Sequence, residues 1–426
     1  MKKLLTIVMA LMLVVVAGVS CGGNSNSESK QDEKVKVGLL ALHDSNSTYD
    51  KNFIDAFNAA CAVKGVEAVI KTNIEEGENC KTEALNLVDD GCKLVFADSF
   101  GHESYLREAA KAFPNVQFCH ATGVTAQTDK SLSNFHNAFA SIYEGRYIAG
   151  YAAGLKLVEM YNANNAIAKD GVINVGYVGA YPYAEVKSGY TSWLLGVRKA
   201  FYESVNNVIV NMIVEFTNSW YNETLEKDAA NVLIQKGCAI ISQHADSWGA
   251  PVACETAGVP NVSYNGSTVS KCPNTFIISS RINWQPYFEY IIDSVLNNRA
   301  IDADWTGDLG ETFATGSVCL TELGGKAPVA GTQAKLDEVA RKLKAGTLRV
   351  FDVSTFTVSA YTENEFAALT GVTLDDNKHL TSAKQNGVEV IKEANGIKYF
   401  DESCVSTNRS APYFDIDIDG ITLNLK

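Results

Sequence analysis

Asn218, Ser219 and Trp220 follow one apolar run, and His244, Asp246 and Trp248 follow the next. Indole faces beside a carboxylate, an amide and an imidazole suit a small planar ligand with polar edges, since the ring can stack while its rim is read by hydrogen bonds. One aromatic in such a place usually packs a loop. Two strand ends carrying the same residue types argue for a pocket. His43 and Asp44 in HDSNST, and Ser99 and Phe100 in DSFGH, are further candidates of this kind. His43 and His244 have the chemistry of an acid or base, but neither has a local partner in a catalytic pattern. The sequence holds no GxSxG elbow, Walker loop, HExxH or GxGxxG at a strand-to-helix turn. Binding without turnover is the simpler account, with no cofactor and no metal.

The elements that must position these side chains are legible in the same region. VIVNMIVEF is a Val/Ile-rich strand, YNETLEKDAANVLIQKG spaces Leu225, Ala229, Val232 and Leu233 at helical turns, and CAIIS is a second strand. A right-handed crossover makes such strands parallel, and open parallel sheets bind ligands beyond the strands' carboxyl ends. Before this unit, strands are expected at 35–42, 67–71, 93–97, 116–119 and 133–139, with helices at 49–64, 81–90, 103–112 and 142–160 between or after them. The 49–64 helix should bury Phe53, Phe57, Ala60 and Cys61, and Gly145, Gly150 and Gly154 should let the long helix pack tightly. A second series begins at Val172 and runs past Asn265 to FIISSRI, then a helix over 284–297, a strand over 316–323 and a helix over 333–345. Such alternation means doubly wound parallel sheets. Two α/β lobes with polar strand ends imply a cleft between them, with three chain crossings at the hinge.

The chain has 426 residues, 46% of them hydrophobic, enough for two cores. Its net charge of -13 and lack of a basic cluster argue against nucleic acid. Lys2 and Lys3, an apolar run from Leu4 to Val19, and Gly18-Val19-Ser20-Cys21 form a secretory leader ending in a candidate lipidated cysteine, Cys21, although Gly18 is a departure where such signals usually have Leu. Residues 22–34 read as a polar tether. Of ten cysteines, nine remain once Cys21 is set apart, an odd number that prevents complete internal pairing. Cys61 with Cys80, or Cys254 with Cys272, could bridge. From about 348 the composition changes to short alternating runs. DIDIDG at 415–420 imitates the start of a calcium loop, but its twelfth position is Lys426. A hairpin is expected there instead, with Ile416 and Ile418 on one face, an Asp419-Gly420 turn, and Ile421, Leu423 and Leu425 returning.

KVGLLAL, DKNFIDAF, GHESYLREAAKAFPNVQF, EGRYIAGYAAG, NVGYVGAYP, NSWYNETLEKDAANVLIQKG and SQHADS, in this order behind a lipoprotein leader, resemble the basic membrane protein family. The likeness runs from about Val35 to Val353. It implies a type I periplasmic-binding-protein fold, two doubly wound parallel-sheet lobes joined by a hinge, with an extra C-terminal β-rich segment over 354–426. The first lobe would take 35–139 plus about 266–312, and the second 140–265 plus about 313–353. It also implies a monomeric solute-binding lipoprotein, anchored outside the cell membrane, that hands a purine base or nucleoside to an ABC permease. By the resemblance, the base would stack between Phe53 and Trp220. Tyr264-Asn265-Gly266-Ser267 stands where the family carries ribose-binding carboxylates, and Ile282 or Asn283 where it carries a lysine. Gln243-His244-Ala245-Asp246-Ser247 and Asn283-Trp284-Gln285-Pro286-Tyr287 are similar to a branch suited to a free base, which adds Asn265, Asn283 and Trp284 to the candidate site. Asp246, behind a strongly apolar strand, is expected at the cleft wall accepting from a purine N–H edge; the alternative is a helix cap. Other functions compatible with these residues are an exported nucleoside-processing hydrolase using Asp246 with His244, and a surface sensing module using the tail.

Overall fold

The computed structural model describes residues 34–301, 316–359, 361, 363, 368–402 and 411–425. The leader, Cys21, the tether up to residue 33, Cys404 and the 302–312 part of the expected first lobe lie outside the described residues.

The first lobe is built from β1 (Lys36–Leu40), α1 (Thr48–Lys64), β2 (Glu67–Lys71), α2 (Glu78–Asp89), β3 (Cys92–Ala97), α3 (Glu103–Ala112), β4 (Gln117–Ala121), the short α4 (Thr125–Thr128) and β5 (Phe135–Ala138). Its strands form one parallel sheet in the order β2-β1-β3-β4-β5. Helix α1 starts where Ser47 accepts the Asp50 amide and stops at Gly65, whose φ of 69° is a left-handed cap. Its apolar stripe, Phe53, Phe57, Ala60 and Cys61, is buried as the spacing predicts.

The chain then crosses into the second lobe through α5 (Ile142–Ala163). There follow β6 (Val172–Gly179), α6 (Ala184–Tyr202), β7 (Ile209–Phe216), α7 (Glu223–Gln235), β8 (Ile241–Gln243), α8 (Gly249–Ala257), β9 (Asn261–Tyr264) and β10 (Phe276–Ile282). A second crossing delivers α9 (Gln285–Leu296) to the first lobe, where Phe288 meets Phe57 edge-on at 5.1 Å. A third returns β11 (Val318–Leu320) to the second sheet, followed by α10 (Thr332–Lys344). Strand β10 therefore does not belong to the first lobe, where the 266–312 assignment placed it. It hydrogen-bonds to β9 and β11, because an apolar strand is best satisfied beside its sequence neighbour.

Helices α5 and α6 pack backbone to backbone. A Cβ on Gly150 would collide with the Trp193 carbonyl, and one on Gly154 with that of Val197. In α7 the buried residues are Glu226, Ala229, Ala230 and Leu233; Leu225 and Val232, expected inside, are 38% and 36% exposed. The buried face is rotated because Glu226 is drawn inward by the Asn222 and Ser247 amides.

After residue 353 come β12 (Thr370–Leu374), β13 (Leu380–Gln385), β14 (Val388–Glu389), the hairpin β15 (Ile391–Ala394) and β16 (Ile397–Phe400), and β17 (Ile421–Asn424). The expected terminal hairpin is not formed. Ile416 and Ile418 are buried in the second lobe's core, and β17 pairs in parallel with β7, so the second sheet runs β11-β10-β9-β8-β6-β7-β17. An open edge at β7 offers unpaired amides and carbonyls, which outbid a two-stranded turn. Phe414 stacks on Phe351 at 4.2 Å and 6°, joining the tail to that core. No described helix is long and apolar enough to cross a membrane. The eight described cysteines are free thiols.

Candidate functional site

A cavity of about 300 Å³ lies between the lobes, at the carboxyl ends of the parallel strands. His43 reaches it from the loop after β1, Ser99 and Phe100 from after β3, and Thr122 and Val124 from after β4. Opposite them stand Tyr183 and Glu185 after β6, Trp220 after β7, His244 and Asp246 after β8, and Tyr264 at the end of β9.

Aromatic rings form one side. Trp220 lies 5.0 Å from Tyr181 and 6.0 Å from Tyr183, Tyr181 stacks on Tyr183 at 5.2 Å, and Phe100 of the first lobe stacks on Tyr183 of the second at 5.2 Å and 30°. The lobes also meet where the Thr48 amide and hydroxyl both donate to the Asp246 carbonyl, at 3.0 and 3.1 Å, and where Asn52 donates to the Ile282 carbonyl at 2.9 Å. These contacts bridge the two lobes.

The polar side centres on His244. Arg146, buried on α5, donates to the Gln243 carbonyl at 2.8 Å, stands 3.0 Å from His244 Nδ1, and lies 3.2 Å over the Tyr264 ring. A guanidinium only donates, so Nδ1 accepts and Nε2 carries the proton toward Glu185 Oε2, 2.7 Å away. Burial lowers the His244 pKa, with Glu185 opposing and Arg146 assisting. The ring is thus a neutral imidazole with both nitrogens engaged.

Asp246 is 5% exposed and its amide donates to the Trp220 carbonyl at 2.9 Å, tying the two strand ends together. Its carboxyl receives the Asn265 amide at 3.4 Å. Burial raises its pKa well above the usual carboxylate range, and Asp50, Glu226 and Glu185 push in the same direction against Arg146. It does not cap a helix: α8 begins at Gly249, whose amide goes to Ser247 Oγ. Asp50 behaves oppositely. Burial works against its charge, but hydrogen bonds from the His43 ring and amide and from Ser47 outweigh that and lower its pKa.

Six expected residues line the cavity: His43, Ser99, Phe100, Trp220, His244 and Asp246. Phe53 and Trp284 do not. They pack on each other at 4.6 Å in the first lobe's core, fully buried. Tyr49, one helical turn before Phe53 and nearer the helix start, takes the place at the cleft, with its hydroxyl on the Asp98 carbonyl at 2.7 Å. Asp44 instead holds its own turn through the Asn46 amide. Asn265 supports Asp246 from behind and, with Asn283 and Trp248, lines a second cavity between α1 and the β9–β10 region. Sequence reasoning missed Tyr49, Asp50, Tyr183, Glu185, Tyr264 and Arg146. Tyr49 and Asp50 lie within about one turn of Phe53 and Tyr264 is next to Asn265, so position was a usable signal; Arg146, near the start of α5, stands out only as a charge within the apolar EGRYIAGYAAG stretch.

Residues 39–311 match the family described as "ABC transporter substrate-binding protein PnrA-like". The chain is 30% identical over 286 residues to a purine-binding protein of Brucella abortus (strain 2308), covering 65% of this chain and 72% of that one. It is also 30% identical over 215 residues to a Haloferax volcanii protein provisionally named an ABC transporter glucose-binding protein, covering 50% and 49% of the two chains. Among solved structures, its fold is similar to an ABC transporter solute-binding protein from Aeropyrum pernix K1, with a TM-score of 0.59, 14% identity, and coverage of 78% of this chain and 95% of the other. An ABC transporter solute-binding protein from Conexibacter woesei DSM 14684 gives a TM-score of 0.57 at 18% identity, covering 74% and 98%.

Proposed function

Because the chain belongs to the PnrA-like family of ABC transporter substrate-binding proteins, whose members work outside the cytoplasm with a permease, we propose that it captures a purine base or nucleoside in the interlobe cavity. The observation that carries this is the pairing, in one interlobe cavity, of the Trp220, Tyr183 and Phe100 rings with the buried Asp246 carboxyl. A purine offers both complements: a flat face, worth about 1 to 3 kcal/mol per stacked base, and an N–H edge for a carboxylate to accept. The purine-binding name of the Brucella relative supports the same ligand class. His244 has both nitrogens occupied, by Arg146 and Glu185, which favours binding over proton transfer and hence transport over hydrolysis. Lipidation at Cys21 would keep the protein beside its permease as a monomeric receptor.

Isothermal titration with adenine, guanine, their nucleosides, glucose and amino acids tests the reading. Saturable binding of a purine, recovered chemically intact by chromatography, is expected. Silence toward every purine would sink it. Glucose is the second reading, because of the Haloferax relative and because clustered carboxylates beside aromatic faces also suit sugar hydroxyls. Tight glucose binding with silent purines would install it instead.

A further inference from the structure

The last part of the chain reaches the cleft. Ala368, Ala411 and Asp415 lie beyond residue 311, where the family match ends, yet they line the same cavity as Trp220, His244 and Asp246. They are fastened to the second lobe. Asp415 Oδ1 stands 3.1 Å from Lys187 Nζ, and Oδ2 accepts the Ala368 amide at 3.2 Å. Lys187 also reaches Asp417 at 3.1 Å, and the other Asp417 oxygen accepts the Tyr190 hydroxyl at 3.2 Å. Ser188 donates to Glu402 at 2.6 Å, and Glu402 receives the Tyr413 and Phe414 amides at 2.9 and 2.7 Å. Lys187, Ser188 and Tyr190 all belong to α6, the helix that also carries Glu185 of the ligand site. Burial works against the Lys187 ammonium, but Asp415 and Asp417 outweigh it and raise its pKa, so Asp415 faces a charged partner.

A carboxylate has about four lone-pair directions. Lys187 and the Ala368 amide occupy one on each oxygen, which leaves acceptor capacity at the cavity wall. The geometry points to Asp415 as a ligand-contacting acceptor and to the tail as a third wall of the site, with Ala368 and Ala411 small enough to let the ligand approach. The group read there is a neutral hydrogen-bond donor, either a ring N–H of a base or a hydroxyl of an attached sugar. This rests on the cleft being the ligand site, and not on which of the ligands above fills it.

The experiment is calorimetric titration of adenine, adenosine and glucose into the full chain, comparing the wild type with Asp415→Asn, Asp417→Asn and Ala368→Trp. Asp415→Asn should weaken the tightest of the three ligands about tenfold or more, the loss expected for a hydrogen bond to a charged group. Asp417→Asn removes an equal charge from Lys187 at a half-exposed position off the cavity, and should change affinity by less than about threefold. A loss confined to adenosine assigns Asp415 to a sugar hydroxyl; an equal loss for adenine assigns it to the base. Ala368→Trp keeps the Lys187 ion pairs and narrows the cavity, so it guards against Asp415→Asn failing to fold, and it should also weaken binding. Unchanged affinity in both cavity variants, or equal losses in Asp415→Asn and Asp417→Asn, would overturn the contact and leave the tail as an anchor. A wild type that takes glucose and ignores both purines would contradict the purine reading alone, and Asp415 is then judged on the glucose arm.

Discussion

Asp246 sits among other acids, and in the empty cleft burial, with Asp50, Glu226 and Glu185, raises its pKa well above the usual carboxylate range. N–H donors brought by a ligand would favour the charged carboxylate. Asp246→Asn should therefore weaken the ligand about tenfold or more, from roughly 1.5 to 3 kcal/mol of lost charge-assisted bonding, while the melting midpoint of the empty protein stays level or rises. A lower midpoint with intact affinity would make Asp246 a structural residue. Glu226, held under the Asp246–Ser247 turn, has a pKa pushed up to about 7 by burial, against the amides of Asn222 and Ser247. The folded chain keeps a proton there that the unfolded chain releases above its ordinary value. That stability is complete below the unfolded pKa and is lost as pH rises through about 7, to a limit of roughly 3 kcal/mol. Melts of the ligand-free protein should fall between about pH 5 and pH 7 and level off above that, and Glu226→Gln should flatten the slope; a rise over that window would contradict the assignment.

At the level of elements, backbone contact between α5 and α6 fixes the platform that presents Arg146 and Glu185 to His244. Gly150→Ala should push the helices apart at Trp193 and destabilise by about 1 to 3 kcal/mol; an unchanged urea midpoint would show that the helices slide freely. Phe414→Ala should remove the stack on Phe351 and cost about 3 to 5 kcal/mol in the main unfolding transition. If that transition did not move, the tail would be an independent appendage. The parallel strands and their helices were readable because continuous Val/Ile runs and helical spacing report local burial, and so were the loops that carry His43, Ser99, Phe100, Trp220, His244 and Asp246. Phe53 was misplaced because spacing gives the buried face of α1 and not the depth along it, which decides that Tyr49 meets the cleft. The tail's hairpins had a signal that went unused. Asn386-Gly387 and Asn395-Gly396 both adopt positive φ, 49° and 78° in the first and 53° and 75° in the second, the geometry of two-residue hairpin turns. The parallel pairing of β17 with β7 had none, since it joins residues more than two hundred apart and is chosen by an open sheet edge.

For the molecule as a whole, the two lobes meet around the proposed ligand cavity. Phe100 on Tyr183 and Thr48 on the Asp246 carbonyl bridge the lobes at the cavity, Asn52 on the Ile282 carbonyl bridges them beside it, and residues of both lobes and the tail line its wall. Asp50 and Glu185 stand close enough to Asp246 to disfavour its charged form. A donor-rich ligand between them would offset that cost. The most direct test is a crystal structure of the full chain grown with the purine that binds tightest in titration. The purine ring is expected against Trp220 in the interlobe cavity, with an N–H within hydrogen-bonding distance of the Asp246 carboxylate. A purine seated elsewhere, or a cleft that stays empty at saturating concentration, would contradict it.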